Sequence, residues 1–131
     1  MYKFPWLQVD EGAHIGNITS KKGRTSFITW GCHIADNVEI GQGVIIGPNA
    51  TIVTSTHPIS RNKWIKDQKT IYKKVIIEDD VFIGSGAVVL AGNIIRKGAV
   101  IGAGAVLTED HTIGEYEIWA GNPAKLLKKR A

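Results

Sequence analysis

A chain of 131 residues fits one domain, spanning 1–131. With 44% hydrophobic and 21% charged residues it is neither disordered nor a membrane protein, and no run of about 20 apolar residues is available to cross a bilayer. The net charge of +4 is mild, no nucleic-acid-binding motif is present, and aromatics do not interleave with the basic residues, so nucleic acid is excluded as a partner. The lone cysteine, Cys32, rules out an internal disulfide framework and fits a reducing compartment. The opening Met1-Tyr2-Lys3-Phe4-Pro5-Trp6 has no apolar stretch long enough for a signal peptide, so a cytoplasmic address is expected.

Along the chain, aliphatic residues recur every six positions. Val9, Ile15 and Phe27 fit this period, although Lys21 breaks the apolar series. A spacing of seven between Phe27 and Ile34 predicts one slip of register. Ile34, Ile40, Ile46 and Ile52 follow in sixes, with Gly41 and Gly47 behind two of them. From Ile77 the repeat runs unbroken through Ile83, Val89, Ile95, Ile101, Leu107 and Ile113. A helix needs an apolar residue every 3.6 positions and a long strand every two. Six fits short strands separated by turns, each sending one aliphatic side chain inward. One such unit cannot bury its side chain alone, but stacked units share a continuous core. The expected fold is therefore all-β, a parallel β-helix. A small antiparallel barrel with glycine turns does not account for so long an in-phase run.

One segment interrupts the repeat. Ile52 and Ile77 lie 25 positions apart, and the polar stretch between them does not scan. A loop over 57–75 is predicted, leaving the wall and shaping a cleft. Beyond the last repeat a short C-terminal tail, 119–131, carries Lys125, Lys128, Lys129 and Arg130. Lys73 and Lys74 form a second basic cluster, and both suit an anionic ligand.

The [Leu/Ile/Val]-Gly-x-x-[small]-x pattern resembles the hexapeptide-repeat acyltransferases, over nearly the whole chain from Val9 onward. That resemblance implies a left-handed β-helix of triangular section with three hexapeptides per coil. It also implies a homotrimer with active sites between subunits. Thr54-Ser55-Thr56-His57-Pro58 resembles the Thr-x-x-His-Pro segment of the maltose, galactoside and polysaccharide O-acetyltransferases, which makes His57 the expected catalytic base. The residue type suits the task, because a sugar hydroxyl does not ionise at neutral pH and an imidazole, with an ordinary pKa of about 6.5, can take its proton during attack on a thioester. The departing thiol is a good leaving group, so direct transfer needs no acyl-enzyme and no role for Cys32.

Asp79-Asp80-Val81-Phe82-Ile83-Gly84, Ile101-Gly102-Ala103-Gly104-Ala105-Val106-Leu107-Thr108 and Ala120-Gly121-Asn122-Pro123-Ala124-Lys125 are similar to the segments that line the family's coenzyme A groove. By that resemblance acetyl-CoA is the co-substrate, with Ser85, Ala103, Thr108, Lys125 and Lys128 as its expected contacts and the backbone N–H near Ser85 as the oxyanion donor. Two positions depart from the pattern. Phe82 stands where a Trp is common, and Glu109 where a Lys follows the Thr. The γ-class carbonic anhydrases share the fold and bind zinc through histidines, but His14, His33, His57 and His111 show no His-x-x-x-x-His pair, so no metal is expected. The activity implied is O-acetylation of a sugar or polysaccharide hydroxyl. N-acetylation of an amino sugar or sugar nucleotide, or a non-catalytic β-helix scaffold, remains open, and no residues that hold the acceptor are identifiable.

Overall fold

The computed structural model describes residues 4–131; residues 1–3, where the reading for a signal peptide began, lie outside the described residues. The chain climbs in coils of three short strands. The first coil holds β1 (Leu7–Val9), β2 (His14–Ile15) and β3 (Thr19–Ser20), and the second holds β4 (Ser26–Ile28), β5 (His33–Ile34) and β6 (Val38–Ile40). The third coil starts with β7 (Ile45–Ile46) and β8 (Thr51–Ile52). It then gives out a loop bearing β9 (Ser55–Thr56), a 3-10 turn (Ile65–Asp67) and β10 (Ile71–Tyr72), and closes with β11 (Val75–Ile77). The fourth is β12 (Phe82–Ile83), β13 (Val88–Val89) and β14 (Ile94–Ile95), and the fifth is β15 (Val100–Ile101), β16 (Val106–Leu107) and β17 (Thr112–Ile113). A hairpin of β18 (Glu117–Gly121) and β19 (Ala124–Lys129) ends the chain.

Corresponding strands of successive coils stack into three sheets. Face 1 runs β1-β4-β7-β12-β15-β18-β19, face 2 runs β2-β5-β8-β13-β16, and face 3 runs β3-β6-β11-β14-β17. Every pairing between coils is parallel; β18 and β19 pair antiparallel. This is the left-handed parallel β-helix. Ile83 sits over Ile101, Val89 over Leu107 and Ile95 over Ile113, each pair 18 positions apart, so three hexapeptides make one coil. The C-terminal segment expected as a tail takes the form of the β19 edge strand, entered through a cis Asn122–Pro123 bond.

Strands of two or three residues are too short to hold themselves together, and the core decides. Ile28, Ile46, Ile83 and Ile101 from face 1, Ile34, Ile52 and Leu107 from face 2, and Ile77, Ile95 and Ile113 from face 3 are all fully buried on the axis. Each such side chain contributes roughly 1.5–3 kcal/mol on burial. The N-terminal register differs from the sequence expectation. Phe27 points outward and Ile28 takes the inward place, in register with Ile46. The reason is the corner between Ser20 and Ser26, which is longer than the others, so the slip precedes Ile28 and does not follow Phe27.

Glycine behind the inward aliphatic has a steric cause. A Cβ on Gly84 would lie 2.5 Å from the Ala103 nitrogen, and one on Gly47 would lie 2.7 Å from the Ser85 nitrogen. The coil above passes too close for any side chain. At the corner between faces 3 and 1, Asp79 accepts hydrogen bonds from the Gln42 N–H at 3.0 Å and from Lys21 Nζ at 3.2 Å. Partial burial would raise its pKa, but these bonds outweigh that and hold the carboxyl below its usual range. A depressed carboxylate stabilises the fold above its unfolded pKa, and this contribution disappears as pH falls through the lower folded value. Asp79→Asn is therefore expected to cost about 1 kcal/mol at neutral pH, with the gap to wild type closing below about pH 4. Urea titrations of both proteins between pH 2 and 7 measure this.

Candidate active site

The three edges of the prism carry different chemistry, and the residues singled out in the sequence divide between them. Ser85 and Ala103 stack on the edge between faces 1 and 2, one coil apart, and both are exposed. The Gly104 N–H donates to Ser85 O at 2.8 Å, and the Ser85 hydroxyl donates to Pro48 O at 3.0 Å. Among the described residues, neither the Ser85 nor the Ala103 N–H has an acceptor. Asp36 and Asp79 also leave this N–H unpaired, so the feature belongs to the coil. What sets Ser85 and Ala103 apart is the small side chain beside it.

The loop leaves the edge between faces 2 and 3. Its root is closed by the Lys73 N–H donating to Thr54 O at 2.8 Å and by the antiparallel pairs Ser55 with Tyr72 and Thr56 with Ile71. Thr54 is buried and its hydroxyl donates to Asp36 O at 2.7 Å. His57 follows β9 directly and is exposed, one residue past the ribbon. The tip is organised by Gln68. Its Oε1 accepts the Ser60 N–H at 3.2 Å, and its Nε2 donates to Ser60 O at 2.9 Å and Lys63 O at 3.0 Å. A hollow of about 680 Å³ lies within the loop, lined by Pro58, Asn62, Lys63, Gln68 and Thr70 among others. Trp64 is 75% exposed with Lys66 Nζ 5.9 Å from its ring centre, and Tyr72 is equally exposed.

Thr108 lies on the same edge as the loop root, two coils further along. Its carbonyl accepts from Asn93 Nδ2 at 2.8 Å and lies 3.0 Å from His111 Nδ1. Asn93 is wholly buried and also binds Leu90 O and the His111 N–H, so it ties the fourth coil to the fifth. His111 stacks edge-on against Trp119, with ring centres 5.7 Å apart. Lys125 and Lys128 are exposed on β19, opposite Ala120 and Ile118, and make no ion pair among the described residues. Arg130 is engaged elsewhere, donating to Asp80 Oδ2 and Gly98 O, both at 3.0 Å.

One chain thus places Thr108 on the edge that bears His57, while face 2 separates that edge from Ser85 and Ala103. Sequence reasoning named Thr54 within the Thr-x-x-His-Pro segment but missed Gln68, which organises the loop tip.

Residues 74–109 match the family described as the hexapeptide repeat of succinyl-transferase. Over those residues the chain is similar to the hexapeptide-repeat family. It is 37% identical to a putative acetyltransferase of Dictyostelium discoideum over 98% of its own length and 65% of that protein. It is 32% identical to the mitochondrial γ carbonic anhydrase 2 of Arabidopsis thaliana over 88% of its length and 45% of that protein. Among solved structures, a maltose O-acetyltransferase from Clostridium difficile superposes with a TM-score of 0.79 at 28% identity, covering 94% of this chain and 66% of that one. A hexapeptide-repeat acetyltransferase from Vibrio cholerae, complexed with acetyl coenzyme A, superposes with a TM-score of 0.72 at 26% identity, covering 95% and 65%. The chain therefore spans between about half and two thirds of the length of these proteins.

Cys32 lies in the core, fully buried, with its Sγ donating to Gly47 O at 3.1 Å. Burial pushes its thiol pKa up, against smaller opposing hydrogen bonds from Ala50 and Thr29. Reactive cysteines are exposed and carry a lowered pKa. The native protein is expected to show no thiol reactive toward an aromatic disulfide reagent at pH 8, and one after denaturation. A rapidly labelled native thiol would contradict this placement.

Proposed function

We propose that the chain is an acetyl-CoA-dependent acetyltransferase acting on a sugar or polysaccharide hydroxyl, with His57 as general base. The observation that carries the reading is the Thr-x-x-His-Pro segment standing where the coil gives out its one long loop, in a chain similar to acetyltransferases and to a structure holding acetyl coenzyme A. In the proposed step, the imidazole of His57 takes the acceptor's proton while the hydroxyl oxygen attacks the thioester carbonyl carbon. The new C–O bond forms and the carbonyl electrons move to oxygen, where the Ser85 N–H is available to receive the charge. Collapse of this intermediate breaks the C–S bond, and the coenzyme A thiolate leaves and recovers the proton from the imidazolium. Thr108, Ala103, Lys125 and Lys128 are the proposed acetyl-CoA contacts, the lysines as point charges toward phosphate.

The separation of His57 from Ser85 across face 2 favours sites shared between copies, and a homotrimer is proposed. The outer ladder of face 1 supports this. Phe27, Ile45 and Phe82 lie in register on it and are 37%, 45% and 44% exposed, with Val100 and Ile118 continuing the column. Contiguous apolar surface of this kind marks interaction sites. Similarity to γ carbonic anhydrase covers the coil. Among the described residues no three His, Cys, Asp or Glu side chains converge to hold a metal ion, and His111 is engaged by Thr108.

Thiol release from acetyl-CoA is to be followed with sugars, sugar nucleotides and amino sugars as acceptors. His57→Ala is expected to lower kcat by about 10²–10⁴-fold while KM for acetyl-CoA stays within a few-fold. Undiminished turnover would remove His57 from the mechanism; turnover with amino sugars alone would make the reaction N-acetylation; absence of acetyl-CoA binding would leave a scaffold. For the assembly, light scattering is expected to give three chain masses for wild type and a smaller species for Ile45→Lys. A wild-type monomer that still turns over would overturn the shared site.

A further inference from the structure

The ribbon that presents His57 is only two residue pairs long, and neither Ser55, Thr56, Ile71 nor Tyr72 reaches the core. Packing therefore does not set its direction; polar ties do. Below, Thr54 is held to the second coil through Asp36 O. Above, Glu109 of the fifth coil uses its two carboxylate oxygens on β9 and on the residue that follows β10. Oε1 accepts the Thr56 hydroxyl at 3.2 Å, and Oε2 lies 3.5 Å from Lys73 Nζ. Lys73 is also paired with Asp110 at 2.7 Å, and these carboxylates, led by the Asp110 bond, raise its pKa so that it stays cationic. Of all these ties, the one to Thr56 is adjacent to His57.

We propose that Glu109 is a positioning residue for His57: by tying Thr56 and Lys73 to the fifth coil it fixes the angle at which the ribbon delivers the imidazole. This rests on the reading of His57 as the base. A lysine at this position would set two cations together at Lys73 and leave the Thr56 hydroxyl without its acceptor. Glu109 and Lys73 thus form a matched pair in this chain. Glu109 does not touch the reacting atoms, and its effect passes entirely through the loop root.

Two measurements test this, one independent of turnover. Hydrogen exchange is expected to accelerate over residues 55–60 in Glu109→Ala and Thr56→Val, with the amides of β14 and β17 unchanged. In the same variants kcat is expected to fall about 10- to 100-fold, KM for acetyl-CoA to stay within twofold, and Glu109→Gln and Thr56→Ser, which keep the hydrogen bond, to recover most of the rate. Unchanged exchange at 55–60 overturns the tie. Exchange accelerated throughout the coil, with kcat and KM worsening together, overturns the positioning role in favour of a general structural one. Faster exchange at 55–60 with undiminished kcat overturns the link to His57. If the wild type has no transferase activity, faster exchange confined to 55–60 upholds the tie while the catalytic reading fails alone.

Discussion

Hydrogen bonds along the axis, from each coil to the next, govern the rest of this molecule. The Ile45 N–H donates to Val81 O, Phe82 to Ala99 O, Val88 to Ala105 O and Ile94 to His111 O. Each bond requires the coil above to return to the same place, so every complete coil must have the same path length or dispose of its excess outside the wall. Glycine follows from this requirement. Where the coil above crosses within 2.5–2.7 Å of a would-be Cβ, at Gly84 and Gly47, no larger residue fits without separating the coils. The aliphatic preceding each of these glycines fills the axis, and among the described residues there is no other core.

The loop obeys the same constraint. It leaves after Ile52 and returns at Val75, and Val75, Ile76 and Ile77 are back in register over Val38, Glu39 and Ile40. A detour of that length is tolerated because its ends are brought together by Thr54 and Lys73, so the coil sees little more than an ordinary corner. Freed from the repeat, the segment holds an exposed histidine, an exposed tryptophan and a glutamine that bonds three backbone groups of its own loop. Departure from periodicity is thus where chemistry has room to sit.

From Ile77 onward the architecture was legible residue by residue, because a strict period of six leaves one consistent assignment of inward positions. It was less legible before Ile34. There Phe27 and Ile28 are both apolar, and the choice between them depends on the length of a corner that carries no aliphatic marker. The candidate site was legible only as motifs. His57, Ser85 and Ala103 could be named, but their division between two edges depends on which corner each occupies in three dimensions. Glu109 was visible only as a departure from a pattern. Its partner Thr56 lies 53 positions away, and that proximity arises because a coil inserts or skips whole turns between residues that share an edge.

The edges themselves are the final step. On the edge between faces 2 and 3, polar side chains run from coil to coil: Thr54 to Asp36, Asn93 to Leu90 and Thr108, and Glu109 to Thr56 and Lys73. This tying makes a firm base for the ribbon from which His57 projects. On the edge between faces 1 and 2, Ser85 and Ala103 offer small side chains and unpaired N–H groups, suited to close approach by a ligand chain. A prism keeps its edges apart, so His57 and Ser85 do not meet on one copy. Two copies placed side by side, as proposed, would bring the one edge against the other, and the apolar ladder on face 1, with Phe82 two residues before Gly84 and three before Ser85, borders the edge where such a meeting would occur.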